Sequence, residues 1–220
     1  GVYDDPVDMN RGATQGWAST ALRTSHRLKL ETLAIPPELV ASRLAGVGRE
    51  LVERFADYRH LAMWVQATRA EAVGRVSTGL FGQPVVRYEL GRADMERFRE
   101  GMYVVAQTHL AAGARAVIPG IQGLPYELGP DQIGRLREAP LDPRAYVAIL
   151  SHLFGGAVMG TDPSRSVCDP HGRVHGYVGL GVADAAVIPS TLGVNPQHTI
   201  MALARMHAEA LLEAEEGAGV

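Results

Sequence analysis

Between residues 93 and 114, Met95, Phe98, Met102, Val105, Ala106 and His109 recur three or four positions apart. That spacing lines them along one face of an α-helix, and Gly113 supplies its stop. Upstream, the chain up to about Ser25 is polar and Gly/Asp-rich at its start and reads as loop. HRLKLETLAI alternates in part and predicts a strand over residues 27–33. Pro36, Pro37 and Glu38 open a helix running to about residue 44, and 48–58 reads as another. The period changes between residues 60 and 90. HLAMWVQATRA and GRVSTGLFGQPVVRYEL carry strand-type residues, with Gly79 and Gly82-Gln83-Pro84 as turns, and predict antiparallel β structure. ARAVIPG reads as a short strand, and a charged helix is expected near 130–138.

From Asp142 onward the chain is Gly-rich with short apolar runs, and LGVADAAVIP reads as a buried strand ending near Asp184. LGVNPQHTIMALARMHAEALL then forms a C-terminal helix, with Asn195 placed as N-cap and Pro196 as first helical residue. Such a start leaves free N–H groups and the positive end of the helix dipole aimed outward. The polar end EAEEGAG is expected to fray.

Composition narrows the function classes. The 220 residues are 46% hydrophobic and 20% charged, enough for a real apolar core and unlike a disordered chain. A net charge of −3 without clustered Lys/Arg gives no footprint for nucleic acid. The longest apolar stretch, AYVAILSHLFGGAVMG, is too short to span a bilayer and carries Ser151, His152 and three glycines. One cysteine, Cys168, excludes a disulfide framework and a Cys-based zinc site, which fits a reducing, cytoplasmic setting.

The candidate chemistry gathers in the last third. His152 sits in SHLFGGAVMG, where glycines allow close backbone approach to a ligand. The segment reads either as a general base or as a buried histidine beside a turn. His171 and His175 form an H-x-x-x-H pair, but HGRVHG lacks helical character, so no metal site is expected. Gly176, Gly179 and Gly181 miss the spacing of a dinucleotide fingerprint. Ser151, Ser164, Ser166 and Ser190 lie in no G-x-S-x-G, and Cys168 reads as an apolar residue flanking a turn. Met63, Trp64 and Phe154 suggest either an apolar pocket or core packing.

Three long, ordered stretches, SHLFGGAVMG, SVCDPHGRVHGYVGLGVADAAVIPS and GVNPQHTIMALARMHAEALL, resemble the C-terminal signature of the glucose–methanol–choline (GMC) flavoprotein oxidoreductases. QATRAEAVGRVSTGL, PVVRYELGRADMERFREGM and THLAAGARAVI are similar to that family's substrate domain, so the resemblance covers residues 60–213. It implies an α+β fold: an antiparallel sheet with helices on one face, plus a C-terminal strand and helix completing an FAD-binding domain. Residues 1–145 would be substrate-domain and 146–220 the C-terminal segment. The activity implied is FAD-dependent oxidation of CH–OH donors. His152 matches the catalytic histidine, and Asn195 the second catalytic position. Asp184 and Ala185 match the strand end that contacts FAD, and Pro196 and Gln197 the helix start beside the isoalloxazine ring.

In such a site His152 takes the alcohol proton while hydride passes to flavin N5. Asn195 hydrogen-bonds the substrate hydroxyl, and the positive helix end faces charge developing near N1 and the C2 carbonyl. Two departures stand out. Ala157-Val158 precede Met159-Gly160 where many members have Cys-Arg. No G-x-G-x-x-G and no early ribose-binding acid occur in these residues, so the resemblance implies a second polypeptide carrying the N-terminal FAD-binding half. The other reading is a non-catalytic interaction module or gene fragment descended from such an enzyme.

Overall fold

The structure, a computed structural model, describes residues 1–149 and 151–218, with side chains described through residue 214. Leu150, inside the apolar stretch noted above, and residues 219–220 lie outside the described part. The chain forms two compact units, residues 1–74 with 88–148 and residues 75–87 with 149–220.

The first unit is built on a three-stranded antiparallel sheet in the order β1 (Ala18–Ser19), β2 (Leu28–Thr32), β3 (Trp64–Thr68). The alternation of LKLET should leave one face wet, yet all of Leu28, Lys29, Leu30 and Glu31 are buried. Lys29 and Glu31 share a strand face, and Nζ lies 2.8 Å from Oε1, an ion pair that offsets part of the desolvation. Helix α3 (Arg92–Ala111) crosses the sheet at Gly101, where an added Cβ would fall 2.8 Å from Gln66 Oε1. The glycine is therefore what lets helix and strand approach. Of the stripe expected on this helix, Met95, Val105, Ala106 and His109 are buried, with Phe98 and Met102 packed at the edge of a core that includes Leu128, Leu136 and Tyr146. Gly113, at φ +93°, ends the helix. A second cluster joins Val2, Ile35, Val40, Leu44 and Leu61, with helices α1 (Pro37–Ala41) and α2 (Arg49–Ala56) at its edge.

Buried polar groups of this unit are paired. Asp94 accepts hydrogen bonds from the N–H groups of Glu71 and Ala72 at 2.9 and 3.0 Å and from Arg97 Nη1 at 3.0 Å. His109 is 4% exposed, with Nδ1 3.0 Å from the Tyr3 hydroxyl. Burial holds its imidazole at about 3, far below the ordinary 6.5. A histidine neutral in the folded state but protonated when unfolded favours folding most above pH 6.5, and that advantage is lost as pH falls toward 3. Between pH 7 and pH 5 the loss from His109 alone should be about 2 kcal/mol. Urea unfolding at the two pH values, repeated with His109→Gln, should show the variant nearly flat where the parent falls; equal slopes would place the acid sensitivity elsewhere.

In the second unit β4 (Arg75–Thr78) and β5 (Pro84–Arg87) form an antiparallel hairpin, and helix α4 (Gln197–Ala218) is the main regular element. Cys168, Val187 and Ile188 make its small buried centre, with Phe154, Met159, Leu192, Ile200 and Leu203 packed around them.

Several expectations are corrected. The β region of 60–90 is antiparallel but split, β3 pairing with β2 while β4 and β5 pair with each other. β1 lies in a stretch read as loop, recruited by the edge of β2. ARAVIPG makes only single bridges, Ala116 to Val2 and Val117 to Leu128, and Pro130–Glu138 is a 3-10 helix. The C-terminal strand is not formed: Gly181 makes one bridge, to Arg173, and the chain turns at Asp184. The end expected to fray stays helical through Ala218. Mixed helix and antiparallel strand is the class this chain shows.

Candidate functional site

Around the small core of the second unit, three segments meet. The first carries His152. It runs over the second segment, the turn at 185–188, where even an added Cβ would make only ordinary van der Waals contact. A Cβ on Gly156 would lie 3.5 Å from Ala186 Cβ, and one on Gly155 would lie 3.9 Å from the Ile188 carbonyl. Ala157 N–H then donates to Ala186 O at 2.9 Å, and Met159 N–H to Val187 O at 3.0 Å. The third segment is the start of α4, whose Ile200 and Leu203 pack into the same cluster as Phe154 and Leu192.

His152 is exposed, which removes the reading of it as a buried core residue. Its backbone sits at φ +55°, in the left-handed region that Asn, Asp and His enter more readily than other residues with a side chain. Its ring has no hydrogen-bond partner among the described residues, so both nitrogens are open to a ligand.

Asp184 does not end a strand. It caps a 3-10 turn over Ala185–Val187, Oδ1 accepting from Ala186 N–H at 2.7 Å, because a carboxylate two residues ahead of a free N–H closes an Asx turn. Ala185 is half-buried as the first residue of that turn. The helix start is displaced by one residue from expectation. Pro196 gives its carbonyl to Ile200 N–H at 2.9 Å and so occupies the cap position, leaving Asn195 just outside. Asn195 and Gln197 are exposed while Pro196 is buried. The structure therefore gathers the segments bearing His152, Asp184, Ala185, Asn195, Pro196 and Gln197 around one core, with the polar side chains at the surface.

The rival candidates resolve differently. Cys168 is fully buried, and desolvation, then the charges of Asp169 and Asp184, push its thiol pKa up, opposite to what a nucleophile needs. Ser166 Oγ lies 3.1 Å from His175 Nε2, a Ser–His pair that no motif spacing announces. That nitrogen also lies 3.2 Å from Gly160 O, which only accepts, so Nε2 carries the proton and cannot serve Ser166 as a base. Ser166 donates its own proton to Asp162 O at 2.6 Å. Among the described residues no group of three His, Cys, Asp or Glu could hold a metal ion. An open hollow of about 470 Å³ in the first unit is lined by Gln122, Asp142 and Arg144 among others, and none of the expected site residues lines it. Met63 packs against the Val2–Leu61 core, Trp64 sets its edge against His109, and Phe154 belongs to the core of the second unit.

Sequence reasoning gave His207 no role. It is 6% exposed on α4, and its Nδ1 lies 3.1 Å from Val182 O, so Nδ1 is the donor. Its ring fits only because Gly172 faces it, and Nε2 is buried without a partner among the described residues. A histidine among alanines and leucines at the buried spacing of Ile200, Leu203 and Ala210 was the available signal.

Comparison with known proteins gives this arrangement its context. The family model described as GMC oxidoreductase matches residues 71–204. A GMC-type oxidoreductase of Sinorhizobium fredii is 32% identical over 213 residues, 96% of this chain but 42% of the relative. The long-chain-alcohol oxidase of Arabidopsis thaliana is 28% identical over 194 residues, covering 82% of this chain and 25% of that protein. A cholesterol oxidase of Mycobacterium tuberculosis is 47% identical over a shorter stretch of 62 residues, 28% of this chain and 11% of the relative. The chain thus spans less than half the length of each of these relatives. By the family match and by similarity along nearly its whole length, this chain belongs to the GMC oxidoreductase family.

Proposed function

We propose that this chain supplies the substrate domain (residues 1–145) and the C-terminal segment (146–220) of an FAD-dependent alcohol oxidoreductase. The observation that carries the reading is His152: an exposed, unbonded imidazole on a backbone held over the 185–188 turn, beside the core that seats the start of α4. The oxidases named above act on alcohols by their names, which supports the same class of donor.

The residues present fit one end of the cofactor. The α4 start is exposed at Gln197, His198 and Thr199, where N–H groups that precede the first helical hydrogen bond can face the polar edge of a flavin ring. Asp184, Ala185, Asn195, Pro196 and Gln197 would hold that end. The sequence carries no G-x-G-x-x-G for the pyrophosphate, so in this reading the ADP-binding half comes from outside these 220 residues, from a second polypeptide or the remainder of a longer one. Bound FAD supplies the acceptor for the hydrogen removed from carbon. His152 takes the proton from the substrate hydroxyl oxygen. Asn195 orients that oxygen by hydrogen bonding, and the positive end of α4 favours negative charge on its far side.

A visible absorption spectrum of the assembly purified under mild conditions tests the proposal, with alcohols then added without oxygen. Flavin bands that bleach on adding an alcohol are the expected result. A colourless, folded, single chain that gains no flavin from a partner would overturn it in favour of an interaction module. Asn195→Ala is expected to slow the bleaching about tenfold while moving the unfolding free energy by no more than about 1 kcal/mol. Unchanged bleaching would leave Asn195 a structural residue only.

A further inference from the structure

Tight hairpin turns are normally made of Gly, Asn, Asp, Pro and Ser. The turn from β4 to β5 instead places Leu80 and Phe81 at its two corners, and they are 90% and 88% exposed. The turn is held firmly. Gly82 N–H donates to Gly79 O at 3.0 Å, Gly79 N–H donates to Gln83 O at 2.7 Å, and Gly82 takes the φ of +81° that this turn requires. The Gln83 side chain accepts from Phe81 N–H at 3.0 Å and lies over Gly79, where a Cβ would come within 2.6 Å of it. Two adjacent large apolar side chains are therefore fixed pointing outward, at little further ordering cost to a partner.

The ladder extends the pattern. Val76 stands opposite Val86 on one face, both well over half exposed, so the apolar surface continues behind the tip. At the base Arg75 stands directly opposite Arg87, a like-charge pair that repels across a ladder, and among the described residues no carboxylate pairs with either. Four residues at about 3.4 Å each set the arginines about 14 Å behind the turn. The medium matching both ends is apolar in depth and negatively charged above. A bilayer with anionic lipid has that profile, its headgroup layer about 5–8 Å thick over the hydrocarbon. Arginine stems can lie along the apolar wall while their guanidinium groups reach phosphate.

We propose that the β4–β5 hairpin is a peripheral membrane-docking element, with Leu80 and Phe81 entering the acyl region and Arg75 and Arg87 engaging lipid phosphates. The proposal is independent of the flavin chemistry. The test is flotation of the native assembly with vesicles of 70% phosphatidylcholine and 30% phosphatidylglycerol, compared with pure phosphatidylcholine. Binding to the anionic vesicles, weakened by salt, is expected. The double variant Leu80→Ser/Phe81→Ser should weaken it about 100-fold, and Arg75→Gln/Arg87→Gln should abolish the preference for anionic lipid, each with an unchanged unfolding midpoint. Three results would overturn the proposal: no flotation, flotation that the tip variant leaves intact, or a Phe81→Trp tip whose fluorescence is already shielded from a soluble quencher without vesicles. The last would assign the tip to a protein partner.

Discussion

Replacing His152 with asparagine should slow alcohol-dependent flavin reduction by about 10²–10⁴-fold in the assembled enzyme, at unchanged flavin content. Asparagine is the informative choice because His152 sits at φ +55°, a conformation asparagine tolerates better than alanine does. The loop then keeps its path over Ala186 and Ile188 while the proton acceptor is gone. His152→Ala should show the same kinetic loss and add a backbone penalty of about 1 kcal/mol, visible in the unfolding midpoint but not in rate. A general base is needed only as the hydroxyl proton leaves, so the loss should appear in the first-order reduction rate at saturating alcohol, with little change in apparent affinity. Rates within a few-fold of the parent in both variants would remove His152 from the proton transfer.

Gly172→Ala is expected to destabilise the second unit by about 3–5 kcal/mol. Gly172 closes the DPHG turn, its N–H donating to Asp169 O at 3.0 Å while Asp169 Oδ1 accepts from His171 and Arg173 N–H at 2.8 and 2.9 Å. At φ +79° any side chain is strained. An added Cβ would also fall 2.5 Å from His207 Nδ1 and 2.6 Å from Val182 O, the two partners of one buried hydrogen bond. The methyl group cannot be accommodated by turning His207 aside, because the ring is buried and the other contact is backbone. Gly176→Ala makes the control. Its φ of +78° carries the same strain, but nothing lies within 4 Å of the new Cβ, so its cost should be about 1 kcal/mol. Urea unfolding followed by far-UV circular dichroism measures both. Equal losses would show that the turn, not the seat of His207, sets the cost. Against a typical total stability of about 5–15 kcal/mol, the expected difference is large enough to leave Gly172→Ala partly unfolded at 37 °C. The small centre of this unit, Cys168, Val187 and Ile188, gives it little in reserve.

Local order was legible wherever the pattern is dense. The stripe from Met95 to His109 announced α3, because six side chains three or four apart leave a helix few alternatives, and Gly113 marked its end within two residues. The start of α4 was legible to within one residue, since Pro196 fixes its own φ and the run from Met201 to Met206 is rich in strong helix formers. A long motif nominated His152 and Asn195 for the proposed chemistry without saying how they are held.

Other features needed the folded chain. LGVADAAVIP has the composition of a strand, but a strand also needs a neighbour to take its hydrogen bonds, and Asp184 instead turns the chain by capping Ala186. The polar face of β2 is buried because Lys29 and Glu31 satisfy one another along the strand, a pairing that alternation alone cannot foresee. His207 was given no role because its environment is made by Gly172 and Val182, thirty-five and twenty-five positions away. By itself, then, the sequence determined the α-helices and the family and nominated the residues proposed to carry the chemistry, since these depend on spacing and residue type within short windows. The tertiary structure alone decided which polar groups are buried and paired, which histidine is left open, and where a glycine is indispensable. Each of those is set by atoms that meet only when distant segments pack.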